Sequence, residues 1–219
     1  MFYIIMFPFM VAVQIIVRVI NIKLTNKINK SNNLELEYIK QEIQSFLLEK
    51  NIKNVTLDIG AFYCFFRMKN QITIKKKSAY SIHDLFVVFH EAGHCIDCCN
   101  KLFLYKFIEV ISIVIIIAFL SVPAALVFYV VKETFSVIMF AVYAIALLLT
   151  IIKAVALPLI EKRANMIALE CLQNNKFVNY DLLKQIKITC VLSISEQVLL
   201  YLVFVLIFGG MLYIPTLFM

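Results

Sequence analysis

The sequence predicts a helical multi-pass membrane protein with about four transmembrane helices and a small α+β, zincin-like polar region. Three observations carry this. The chain has 219 residues, 63% hydrophobic and only 16% charged, against about 45–50% apolar and about 25% charged in a soluble domain. Its apolar residues gather in blocks long enough to cross a bilayer. The polar stretch after the first block shows helical and then strand-like patterning.

The first block, Phe2 to Ile20, is broken only by Gln14 and Arg18. No charged n-region precedes it and no small-x-small site follows, so it is expected to be an anchor rather than a cleaved signal. Arg18 can snorkel to the interface. Blocks at Phe107–Val131 and Phe135–Ile160, separated by Lys132-Glu133-Thr134, are expected to form an antiparallel hairpin. Pro123 and Pro158 mark expected kinks or ends. The last block runs from about Ile188 to Met219, with a firmly apolar part from Val198.

These blocks set the expected organisation: an N-terminal transmembrane helix at 1–20, a zincin-like region at 21–106, a transmembrane hairpin at 107–160, a helical segment at 161–187 and a C-terminal transmembrane helix at 188–219. Charge orients them. Residues 21–106 carry thirteen Lys/Arg and residues 161–187 carry five, whereas the opposite face keeps only Lys132. The positive-inside rule then places both polar segments in the cytoplasm and both termini outside, in the cell membrane. The net charge of +7 is thus a topology signal, with the lipid bilayer as partner. No recognition motif accompanies it, so no nucleic-acid partner is expected. The six cysteines are scattered or bunched after residue 94, and a cytoplasmic location keeps them reduced.

Within the polar region, apolar residues at Leu36, Ile39, Ile43, Phe46 and Leu47 predict an amphipathic helix over 34–49. Short strands are expected at Val55–Ile59, Phe62–Arg67 and Ile72–Ile74, with a turn at Asn70-Gln71. Ile72–Ile74 is the candidate for pairing with substrate main chain at a sheet edge; the alternative is a core strand. Ser81-x-x-Asp84 forms a capping box, so a helix should start there and run toward Cys99.

That helix carries His90-Glu91-Ala92-Gly93-His94, a His-Glu-x-x-His motif. Residues four apart share a helix face, so both imidazoles can hold one metal ion. Two of the three histidines in the chain sit at this spacing around a glutamate. Glu91 is placed to take a proton from a water activated by the metal, then pass it to the leaving amine. Gly93 costs helix propensity, about 1 kcal/mol against Ala, which close approach of another helix or of substrate would explain.

A catalytic zinc takes three protein ligands and keeps one position open. Candidates for the third are Asp97, Cys98, Glu161, Glu170 and Glu196. Glu161 is preferred because it lies just past the expected cytoplasmic end of a membrane helix, on the side of the histidines. Asp97 and Asn165 suit supporting roles behind an imidazole or Glu161. Tyr63, Tyr80 and His83 are candidates for stabilising a developing oxyanion.

With these residues in view, the chain resembles the bacterial membrane-bound neutral zinc metallopeptidases, the YugP-like family, over roughly residues 55–172. The likeness rests on Val88-Phe89-His90-Glu91-Ala92-Gly93-His94-Cys95-Ile96 and on Leu157-Pro158-Leu159-Ile160-Glu161-Lys162-Arg163-Ala164-Asn165. It implies zinc ligation by His90 and His94, catalysis by Glu91, a downstream glutamate at Glu161 and hydrolysis of peptide or protein substrates, cytoplasmic or membrane-proximal. Two departures stand out. The family's tyrosine-aspartate-proline is absent, since Cys64-Phe65 follows Tyr63, and one extra residue separates Pro158 from Glu161. The HtpX-like membrane zincins are the runner-up family, but their active-site helix follows two membrane helices rather than one. Outside the enzymes, the alternatives are an inactive scaffold or adaptor that keeps the zinc fold, and a transporter using Lys153 and Glu196, which lacks evident inverted repeats.

Overall fold

The structure is a computed structural model that describes residues 2–29, 34–132, 137–173, 175 and 178–213. Among the described residues four helices are long and apolar enough to cross a membrane: α1 (Phe2–Ile28), α4 (Leu102–Lys132), α5 (Val137–Gln173) and α6 (Tyr180–Tyr213). Between α1 and α4 lie α2 (Leu36–Glu49), β1 (Thr56–Gly60), β2 (Cys64–Phe66), β3 (Gln71–Lys75) and α3 (Ile82–Asn100). The fold is therefore four membrane-spanning helices plus a small mixed α+β region. The expected hairpin link at Lys132-Glu133-Thr134 and the chain beyond Tyr213 lie largely outside the described residues.

Two compact units divide the chain: Met1–Val17, Phe103–Pro158 and Ser195–Met219 form one, and Arg18–Leu102 with Leu159–Ile194 form the other. Their boundaries fall inside α1, α5 and α6. The helices therefore run past the ends that hydropathy alone sets, and polar continuations such as 161–173 and 180–194 belong to the α+β unit. Thirty-seven residues make α5 about 55 Å long at 1.5 Å per residue, well beyond a hydrocarbon core of about 30 Å. Neither Pro123 nor Pro158 ends its helix.

In the first unit, Ile111, Ile115, Ala118, Tyr143, Ala146 and Phe208 form a buried core, while Ile117, Leu120, Leu148 and Val155 face outward. Outward apolar side chains are unfavourable in water but suit lipid. Lys153 is buried here; its Nζ donates to Ser112 Oγ and lies 5.0 Å from the Tyr201 ring centroid. A cation in an apolar span needs such partners.

In the second unit, α2 buries Ile39, Ile43, Phe46 and Leu47, the face predicted by its spacing. It stops at Asn51, whose φ of 56° begins a left-handed turn in which Asn51 N and Ile52 N donate to Leu48 O and Leu47 O. The sheet has the order β1-β3-β2, with β1 parallel and β2 antiparallel to β3. This corrects one expectation. Ile72–Ile74 lies in the central strand, hydrogen-bonded on both sides, with Ile72 and Ile74 fully buried. It has no free edge for a peptide. Its alternation with Thr73 packs one face against the helices instead.

The capping box forms as predicted. Ser81 Oγ accepts from Asp84 N at 3.2 Å, and Asp84 Oδ2 accepts from Ser81 N at 2.8 Å. Asp84 also receives Lys77 Nζ and, at 2.7 Å, the Tyr63 hydroxyl. Burial opposes its charge, yet these donors hold its carboxyl below the usual range. Leu85, Val88, Phe89, Ala92 and Cys95 of α3 then pack with α2, β3, Ala168 and Leu172 of α5, and Ile186 of α6. Burying a Leu, Val or Phe is worth about 1.5–3 kcal/mol each, so α3 is firmly fixed.

Candidate metal centre

Helix α3 presents His90 and His94 one turn apart, and α5 brings Glu161 to them. The two Nε2 atoms are 3.0 Å apart. Glu161 Oε2 lies 3.3 Å from His90 Nε2, and Oε1 lies 3.6 Å from His94 Nε2. Among the described residues this is the one set of three histidine, cysteine or carboxylate donors within 4.8 Å of one another. Donors about 2.0–2.1 Å from a tetrahedral zinc stand about 3.3–3.4 Å apart, close to these separations. All three side chains are partly buried, at 14–16% exposure.

The approach depends on Gly93. A Cβ there would lie 3.0 Å from Ala164 Cα and 3.1 Å from Ala164 O. The missing side chain lets α5 pass against α3, which places Glu161 and Asn165 over the histidines. Asn165 Oδ1 is 2.9 Å from His90 Nδ1. With Nδ1–H donating to that oxygen, the lone pair of His90 is on Nε2, facing Glu161 and His94. The donor set and this tautomer fit a zinc-like cation.

Electrostatics agree. Burial disfavours the His90 cation, but the hydrogen bond and charge of Glu161, with Glu91 and Asn165, outweigh it and raise its pKa above 6.5. Burial and the neighbouring His90 push His94 down to about 4, against the pull of Glu161. Two buried imidazoles facing one carboxylate can share one proton; a divalent cation between them would satisfy all three.

Glu91 points differently. Its Oε2 accepts the Phe65 backbone N–H at 2.8 Å, so β2 anchors it. Burial raises its pKa, with His90 and the Phe65 bond opposing. A carboxylate tuned upward in this way is better suited to take and return a proton near neutral pH.

The remaining candidates are placed elsewhere. Asp97 accepts from Arg163 Nη2 at 2.9 Å, a second clamp between α3 and α5. Cys98 lines a separate cavity with Cys99. Glu170 faces a cavity of about 520 Å³ that is also lined by Glu42, Phe46 and Phe89. Glu196 belongs to the other unit. The Tyr63 hydroxyl donates to Asp84, the Tyr80 hydroxyl accepts Lys77 N–H, and His83 packs on Phe86 at 6.1 Å between ring centroids. Sequence reasoning missed the Phe65 amide and Arg163. A backbone donor leaves no residue-type signal, though Arg163 two residues after Glu161 was open to a charge-pairing argument.

Fold and site together define a multi-span membrane protein whose α+β unit carries a His/His/Glu cluster suited to a metal ion. No protein-family model matches the chain, and neither a curated protein nor a solved structure does.

Proposed function

We propose that this protein is a zinc-dependent, membrane-bound peptidase of the His-Glu-x-x-His type, with His90, His94 and Glu161 as metal ligands and Glu91 as general base. The observation that carries the reading is the convergence of those three donors, with Glu91 one residue away on α3 but held aside by β2. A bound zinc would polarise the scissile carbonyl and lower the pKa of water in its open position. Glu91 accepts the attacking water's proton and returns it to the leaving amine. Asn165 keeps His90 in the ligating tautomer, and Arg163–Asp97 holds α5 in place.

Peptide would bind as an extended strand at the outer edge of β2, the edge that already sends the Phe65 N–H to Glu91. Both basic segments, 21–106 and 161–187, are assigned to the cytoplasm by the positive-inside rule, which puts the site on the cytoplasmic face of the cell membrane. Substrates are then cytoplasmic or membrane-proximal peptides or proteins.

The test compares wild type with Glu91→Gln, both with zinc content confirmed, on a mixed peptide library supplemented with membrane-anchored polypeptides. Cleavage by wild type should fall by about 10²–10⁴-fold in the variant. Equal activity in both, or none in zinc-loaded wild type, would favour a scaffold that keeps the metal fold.

A further inference from the structure

Phe65, Arg67, Asn70, Cys98 and Cys99 line a cavity of about 280 Å³ between β2 and the end of α3. Phe65 is also the residue whose N–H anchors Glu91. It pairs with Ile72, whose side chain is buried, and so lies on the helix-facing side of the sheet. On α3, Cys98 follows Glu91 by seven residues, two turns along nearly the same face and about 10 Å along the axis. The turn that carries Arg67 is firmly built. Asn70 adopts a φ of 48°, its N donates to Arg67 O at 3.2 Å, and its Nδ2 donates to Asn54 O at 2.7 Å.

Small-molecule sites enclose about 300–1,000 Å³, so this cavity has room for one side chain or a chain end. Its two thiols act as small hydrophobes. Arg67 is the one charged residue among the described residues that line it. We propose that the cavity is a specificity subsite in which Arg67 receives a carboxylate of the substrate peptide, from an Asp or Glu side chain or from the C-terminus. A guanidinium offers a carboxylate paired N–H donors in one plane. A neutral side chain gains no such pair, and a cationic one is repelled.

This subsite rests on the peptidase reading for its place in a reaction. A peptide extended along the outer edge of β2 turns every second side chain to the helix-facing side of the sheet. It rises about 3.3 Å per residue, so the stretch of about 10 Å from Glu91 to Cys98 sets the carboxylate about three residues from the bond that is cut. The favoured substrates are then peptides with an acidic residue, or their own C-terminus, at that spacing.

The test is equilibrium binding to the full-length, zinc-loaded Glu91→Gln protein in detergent, which does not consume the peptide. The chain contains no Trp, so one Trp placed in each peptide reports binding directly. The probes are otherwise uncharged peptides with an amidated C-terminus, carrying Glu, Gln or Lys at each position in turn, and the same uncharged peptide with a free C-terminus. Glu at one position, or the free C-terminus, should tighten binding roughly 10-fold or more over its neutral counterpart, the scale of a charge-assisted hydrogen bond. The two arms tell a side chain from a chain end. Arg67→Gln should erase the preference, and Arg67→Glu should turn it toward Lys, with unchanged circular dichroism spectra. Equal binding of the Glu, Gln and Lys peptides and of the free C-terminus, no binding of any peptide, or a preference that survives Arg67→Gln would overturn the proposal. A preference that depends on Arg67 in a protein whose wild type cleaves nothing would instead retire the peptidase reading and leave the carboxylate pocket standing.

Discussion

Gly93 and Ala164 meet backbone to backbone: a Cβ on Gly93 would come within 3.0 Å of Ala164 Cα. Within one turn of this contact on either helix stand the residues that matter: His94 beside Gly93 and His90 three residues before it on α3, and Asn165 beside Ala164 and Glu161 three residues before it on α5. The Gly93→Ala substitution gains about 1 kcal/mol of helix propensity but overpacks the contact, which costs about 1–3 kcal/mol. We expect net loss of thermal stability and weaker zinc binding. Ala164→Gly should not rescue it, because the closest atoms belong to the Ala164 backbone. A Gly93→Ala protein of equal or higher stability and unchanged zinc affinity would show that α5 is free to give way.

Asn165 sets the His90 tautomer through its 2.9 Å contact to Nδ1. Replacing it with Leu should lower zinc affinity by about 10–100-fold, the usual effect of losing a partner behind a ligating imidazole, with little change in unfolding temperature. Competition against a chelator of known affinity measures this. Unchanged affinity would mean that His90 is oriented by packing alone.

Protonation should compete with metal at His90. Its pKa is raised above 6.5 by Glu161 against the effect of burial, whereas His94 is already neutral down to about 4. Zinc affinity should therefore climb as pH rises through the range just above 6.5 and level off beyond the raised pKa, with about one proton released per ion in that range. Calorimetry in buffers of different ionisation enthalpy counts the protons. Release of two, or a flat affinity across the range, contradicts the assignment.

Topology can be read independently. With native cysteines removed, Lys50→Cys and Lys184→Cys should resist a membrane-impermeant thiol reagent in intact cells and react after permeabilisation. Labelling of either in intact cells rejects a cytoplasmic site.

Much of this was legible in the sequence, because it rests on local rules. The Ser81–Asp84 box starts α3 where its residue types require, and the 3–4 spacing of Ile39, Ile43, Phe46 and Leu47 identifies the buried face of α2. Gly93 signalled a close approach through its cost, and Glu161 through its place after an apolar run. What was not legible depends on tertiary pairing. Strand order is a property of three segments at once, so Ile72–Ile74 could not be recognised as the central strand from alternation. Helices α5 and α6 outrun their apolar windows because Ala168, Leu172, Leu182 and Ile186 pack into the α+β core, which hydropathy does not register. The Phe65 amide is invisible for the same reason, since any residue at that position carries one.

The central claim is that His90, His94 and Glu161 together hold one metal ion, and zinc content after dialysis tests it most directly. The protein with these three donors intact should retain one equivalent, His90→Ala and His94→Ala should lose it, and Glu161→Ala should retain it only weakly. Asp97→Asn should remain close to one equivalent, because Asp97 pairs with Arg163. Full zinc retention by Glu161→Ala, or loss from Asp97→Asn comparable to that from His90→Ala, would contradict the account.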